Sequence, residues 1–185
     1  MHKFIYSIIM LLFFFLTFAQ ELNESEIKKT RSIQEQLISN PEEAYTEALK
    51  ISKSKKELFS FYGKYYVANY FYNKSEFTYS KKLLIILIDS IEKSKMDKSS
   101  KVYQDLLGMC VNKLFYIHKN LGEYDTALFY LDKYKASVPN NHFNEQYGSI
   151  KVAMGDYVNG IALLKKELKT TPHLKLGVSE KKNNE

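Results

Sequence analysis

Two stretches of the chain can be laid over each other without a gap, and this internal repeat constrains the fold more than any other feature. One runs Leu121-Gly122-Glu123-Tyr124-Asp125-Thr126-Ala127, followed by Leu131, Tyr134 and Pro139. The other runs Met154-Gly155-Asp156-Tyr157-Val158-Asn159-Gly160, followed by Leu164, Glu167 and Pro172. Gly to Gly and Pro to Pro are each 33 residues apart (155 − 122 and 172 − 139). A unit of this length cannot bury an apolar face alone and has to stack on its neighbours. Each shared position has a physical reason. The glycines let the chain reverse between two helices without a Cβ clash. Tyr124 and Tyr157 fill the space between the helices, and Ala127 and Gly160 are small where the helices cross. Pro139 and Pro172 stop the second helix, because Pro clashes with the preceding turn.

Fainter copies lie upstream. Val67-Ala68, Phe71, Ser75-Glu76-Phe77, Ser80, Leu84 and Leu87 fall on the same offsets, with Ser75 where the turn glycine stands elsewhere. Before them, Pro41-Glu42-Glu43-Ala44 opens a helix, with Ala48 and Ile51 at the offsets of a second helix. Proline just inside a helix start, followed by two acids, is an N-terminal signature. Its partner is expected at about Ser25 to Ser39. Leu83, Leu84, Leu87, Ile88 and Ile91 form a stripe of helical period. With only 7 Gly and 3 Pro in 185 residues, the many turns of an all-β fold have no support. The sequence therefore predicts an all-α domain over 24–172, in helix pairs at about 24–57, 58–95, 100–139 and 141–172. Ser75 and Gly122 are 47 residues apart, longer than the period of about 34, and the surplus is expected to lengthen the helices around Ile91–Val102.

Gly-acidic-Tyr-x-x-Ala/Gly at the start of a second helix that ends in Pro resembles the second half of the tetratricopeptide repeat. The resemblance implies a right-handed superhelical stack of antiparallel helix pairs, an α-solenoid, whose first helices line a concave face that holds partners. It also implies that positions 2, 5, 9 and 12 of each first helix point into that groove. The second pair then presents Tyr62, Tyr65, Asn69 and Tyr72. The third presents Met109, Asn112, Tyr116 and Lys119, and the fourth His142, Glu145, Ser149 and Val152. Tyrosine suits peptide contact, combining apolar area with a polar tip. The same run, Phe59–Tyr72, reads equally well as core, since aromatic residues at helical spacing often pack internally. Asn69 and Asn112 resemble part of the carboxylate clamp of co-chaperone repeats, whose Lys and Arg positions are not evident here.

Residues 4–18 are nearly all apolar, interrupted only by Ser7 and Thr17, after a short start that holds Lys3. Thr17 and Ala19 put small residues where a signal peptidase reads, and Gln20-Glu21 follow. The run is short for a membrane span of about 20 residues and fits a secretory signal, residues 1–19. The expected location is periplasmic or secreted; the alternative is an inner-membrane anchor formed by residues 4–19. No Cys follows the run, which speaks against a lipid-modified N-terminus. Residues 173–185 read as a short polar tail, expected to be disordered.

The net charge is +6, and one of those charges, Lys3, lies in the first 19 residues. The remaining lysines are interleaved with Glu and Ser, a solvated surface rather than a nucleic-acid footprint. The four histidines, His2, His118, His142 and His173, lack metal-ligand spacing, and no phosphate-binding or nucleophile-elbow motif occurs. His118 reads as a structural helix residue, and Cys110 as a buried, inert thiol that leaves no intrachain disulfide. No cofactor is expected. The sequence points to a non-enzymatic, exported scaffold for a protein or peptide partner, touching a membrane only through the leader if that is retained. The alternative is a truncated periplasmic sensor part of a transmembrane transcriptional regulator, since the chain is also similar to the exported repeat region of such bacterial proteins.

Overall fold

The computed structural model describes residues 21–137 and 143–170, and these form eight α-helices with no strand among them. In chain order they are α1 (Glu24–Ser39), α2 (Pro41–Ser52), α3 (Glu57–Asn73), α4 (Phe77–Lys93), α5 (Lys101–Asn120), α6 (Tyr124–Ser137), α7 (Asn144–Ala153) and α8 (Tyr157–Thr170). The expected signal segment, Pro139, His142, Pro172 and the expected polar tail lie outside the described residues. Among the described residues no helix is long and apolar enough to cross a membrane.

Local chemistry explains the boundaries. Asn23 caps α1 reciprocally: its side chain accepts from the Glu26 N–H at 2.9 Å, and the Glu26 carboxylate accepts from the Asn23 N–H at 2.8 Å. Pro41 opens α2, where its missing N–H costs nothing, and Glu42 and Glu43 meet the positive end of the helix dipole.

Three of the reversals share one geometry. Ser75, Gly122 and Gly155 adopt φ of 62°, 74° and 87°. Their N–H groups donate to the carbonyls of Tyr72, Lys119 and Val152. The next residues, Glu76, Glu123 and Asp156, donate to Phe71, His118 and Lys151, at 2.9, 2.9 and 2.8 Å. This is the paired helix-ending motif that satisfies otherwise orphaned carbonyls and requires a left-handed residue. Each turn then launches the next helix with an aromatic residue; Phe77 and Tyr124 are half-buried, whereas Tyr157 is 62 % exposed and does not fill the space between helices expected of it. The fourth position of that helix, Ser80, Ala127 or Gly160, is small and buried. Ser80 is the exception in chemistry: its hydroxyl donates to the Ala68 carbonyl at 2.7 Å, so a buried polar group is satisfied.

Each helix packs against the next along the chain, and α1 and α5 also pack on α3. One apolar core runs from Ile33 on α1 to Ile117 on α5. A second, formed by Phe115, Ala127, Leu131, Phe143 and Ile150, joins α5, α6 and α7, and Tyr130 touches both. Lys29–Glu47, Lys56–Glu26 and Lys74–Glu42 tie neighbouring helices at the surface. Exposed pairs of this kind contribute about 0.2–1 kcal/mol each, so burial carries the stability.

One expectation needs correcting. The surplus residues between the second and third pairs do not simply extend helices through Ile91–Val102, because residues 94–100 form a non-helical link. Met96 plugs it into the core. Asp97 accepts from the N–H and hydroxyl of Ser99, and Ser100 caps α5 by accepting from the Tyr103 N–H. Short polar side chains there compete with the helix for backbone groups. The remaining surplus appears in the 20-residue length of α5.

Candidate functional site

The groove positions expected from the sequence lie on α3, α5 and α7, and the structure treats them unequally. Tyr62 is half-buried beside Asp105; burial first, and then that charge, raise its phenol above the ordinary value. Tyr65 is 8 % exposed and belongs to the core, its ring edge-on to Tyr66 at 5.6 Å. Burial pushes its phenol well up. Tyr65 is therefore a packing residue here: α3 is flanked by α1, α2, α4 and α5 and buries more than one face.

Asn69 is half-buried, and its Oδ1 is fully enclosed with no hydrogen-bond partner. Tyr72, one turn further on, is a junction. Its ring tilts against Phe77, its hydroxyl accepts from Asn120 Nδ2 at 3.3 Å, and the Lys113 ammonium sits 4.1 Å above the ring centroid. Asn112 and Tyr116 are half-buried on α5, with the Tyr116 ring edge-on to Phe115 at 4.7 Å. Lys119 reaches α7, donating to Ser149 Oγ at 2.9 Å. Met109 packs on the first core, while Val152 lies 2.7 Å from a Cβ built on Gly160, so it serves the α7–α8 contact. Glu145 stands exposed on the first turn of α7, and among the described residues nothing ties it to the others.

The structure thus brings Tyr72 together with α5, and Lys119 together with α7. It adds residues that sequence reasoning missed. Lys113 pairs with no carboxylate among the described residues, and burial lowers its pKa to about 8. A cation over an aromatic face regains part of what desolvation costs. Asp105 and Tyr134 flank the same strip: the charge of Asp105 acts on both Tyr62 and Tyr134. Helical spacing could have found Lys113, since Met109, Asn112, Lys113 and Tyr116 share one face.

His118 lies outside the strip. It is buried, stacks on Tyr130 with centroids 5.1 Å apart, and its Nδ1 faces the Glu123 carboxylate, which Lys81 of α4 also approaches at 3.4 Å. That network fastens α4, α5 and the turn before α6. Cys110 is completely buried, and its thiol is pushed up to about 12. Among the described residues no three His, Cys, Asp or Glu side chains gather as a metal site.

No known protein family, curated protein or solved structure matches the chain. The likeness to the tetratricopeptide repeat therefore rests on the residues themselves.

Proposed function

We propose that the chain is an exported, non-enzymatic scaffold whose tetratricopeptide-like helix pairs stack into a right-handed superhelix. It holds a peptide or protein segment along the strip carried by α3, α5 and α7. The observation that carries this reading is the half-buried strip of Tyr72, Lys113 and Tyr116, where the Lys113 ammonium sits 4.1 Å above the Tyr72 ring centroid and pairs with no carboxylate among the described residues. Half-buried tyrosines and an unpaired ammonium offer apolar area with polar tips, the composition of interface anchors. The reading needs no cofactor and no nucleic acid. Export rests on the apolar run of residues 4–18, which is expected to be cleaved after Ala19.

The test is site-specific photocrosslinking in the native host. A photoreactive phenylalanine replaces Tyr116 on the strip or Phe129, which is exposed on α6. The proposal expects a discrete adduct at 116 and none at 129. An adduct at 129 alone would move the binding face elsewhere.

A further inference from the structure

A cavity of about 230 Å³ opens on a different surface, where α2, α3 and α4 meet. Leu49, Val67, Leu83, Ile86 and Leu87 line it, and Lys64 stands at its edge. Its one further polar wall, Ser52, is already satisfied, because the hydroxyl donates to the Leu49 carbonyl at 2.9 Å. The geometry has a physical origin. α2 has 12 residues and α4 has 17, and the last turn of α2 forms one wall. That turn is pinned to α3 at Gly63, where an added Cβ would lie 2.4 Å from the Ser52 nitrogen. The Ser60 hydroxyl holds the same turn, donating to the Ser52 carbonyl at 2.6 Å. The wall is preformed rather than collapsible, so the space between helices persists and Ile86 remains 54 % exposed at its rim.

Charge decides what the cavity takes. No acidic side chain lines it, and among the described residues no carboxylate pairs with Lys64, whose ammonium lies 5.5 Å from the Phe61 ring centroid. An apolar cavity of about 150 Å³ is enough to hold benzene, so this one admits a chain of roughly six to eight carbons. We propose that it is a binding site for a short aliphatic acid, its chain among Leu49, Val67, Leu83 and Leu87 and its carboxylate at Lys64. This site is independent of the partner strip on α3, α5 and α7.

Calorimetric titration of the full exported protein with octanoate, octan-1-ol and octylammonium tests it. Octanoate is expected to bind saturably at one site. Octan-1-ol should bind about fivefold more weakly, the upper end of what an exposed charge pair supplies, and octylammonium more weakly still. Lys64→Gln, on an exposed side chain, should erase the preference for octanoate over the alcohol without changing helicity. Val67→Phe should fill the cavity and abolish binding of both; Leu83→Met, which preserves volume, should retain it and so separates filling from misfolding. The proposal is overturned by absence of saturable octanoate binding, by equal affinity for acid and alcohol in the unmodified protein, or by a preference that survives Lys64→Gln.

Discussion

Gly148 and Gly160 face each other so closely that a Cβ built on either would lie 2.9 Å from the other's carbonyl oxygen. This is how α7 and α8 achieve their approach, and it makes the pair the closest counterpart of the Ala68–Ser80 contact between α3 and α4. In an ordinary exposed helix, Gly→Ala stabilises by about 0.5–1 kcal/mol. Here the clash decides the sign. At Gly160 the new methyl would also meet Val152 Cγ2 at 2.7 Å, and overpacking of this kind costs about 1–3 kcal/mol. Gly160→Ala should therefore lower the melting temperature, and an unchanged or raised value would contradict the α7–α8 geometry.

Ser75 occupies a left-handed conformation that Gly122 and Gly155 adopt without strain. For a residue with a Cβ that conformation costs about 1–2 kcal/mol, offset in part by the greater freedom glycine has when unfolded. Ser75→Gly should stabilise by about 0.5–1 kcal/mol in chemical denaturation, and Gly122→Ser should destabilise. Opposite signs would show that the three turns are not equivalent.

Acid should weaken the fold in a defined direction. Glu42 is held below its ordinary value first by Lys74, Glu47 first by Lys29, and Glu123 first by His118. Because each folded pKa lies below the unfolded value near 4.5, the unfolded chain binds more protons at low pH. The stability these carboxylates contribute is complete above that value and is lost as pH falls through their folded pKa values. Melting temperature should be level from pH 7 to about 5 and decline below that; a flat profile to pH 3 would contradict these pairings.

The helical character was legible because the apolar stripe of α4 and the Gly-acidic-Tyr turns are local signals. Even the weak turn at Ser75 could be placed by register. The burial of Tyr65 was not legible, since a helix packed on several neighbours hides more than one face and periodicity alone does not say which. Lys113 escaped for a different reason: a lysine on a helix reads as solvated until Tyr72 of another helix is seen against it. The link at residues 94–100 was missed because its structure rests on side-chain contacts to backbone rather than on hydrophobic pattern.

Truncating two tyrosines separates binding from packing and bears most directly on the proposed function. Tyr65→Ala removes a core ring and should cost about 3–5 kcal/mol of stability, as large aromatic truncations do. Tyr116→Ala removes a half-buried ring on the strip and should keep the helical circular dichroism of the unmodified protein. In the same preparation, affinity for the partner identified by crosslinking should fall about thirtyfold or more, the loss of an interface anchor of roughly 2 kcal/mol. Retained helicity with lost binding is the result the account predicts. Retained helicity with undiminished binding would contradict it.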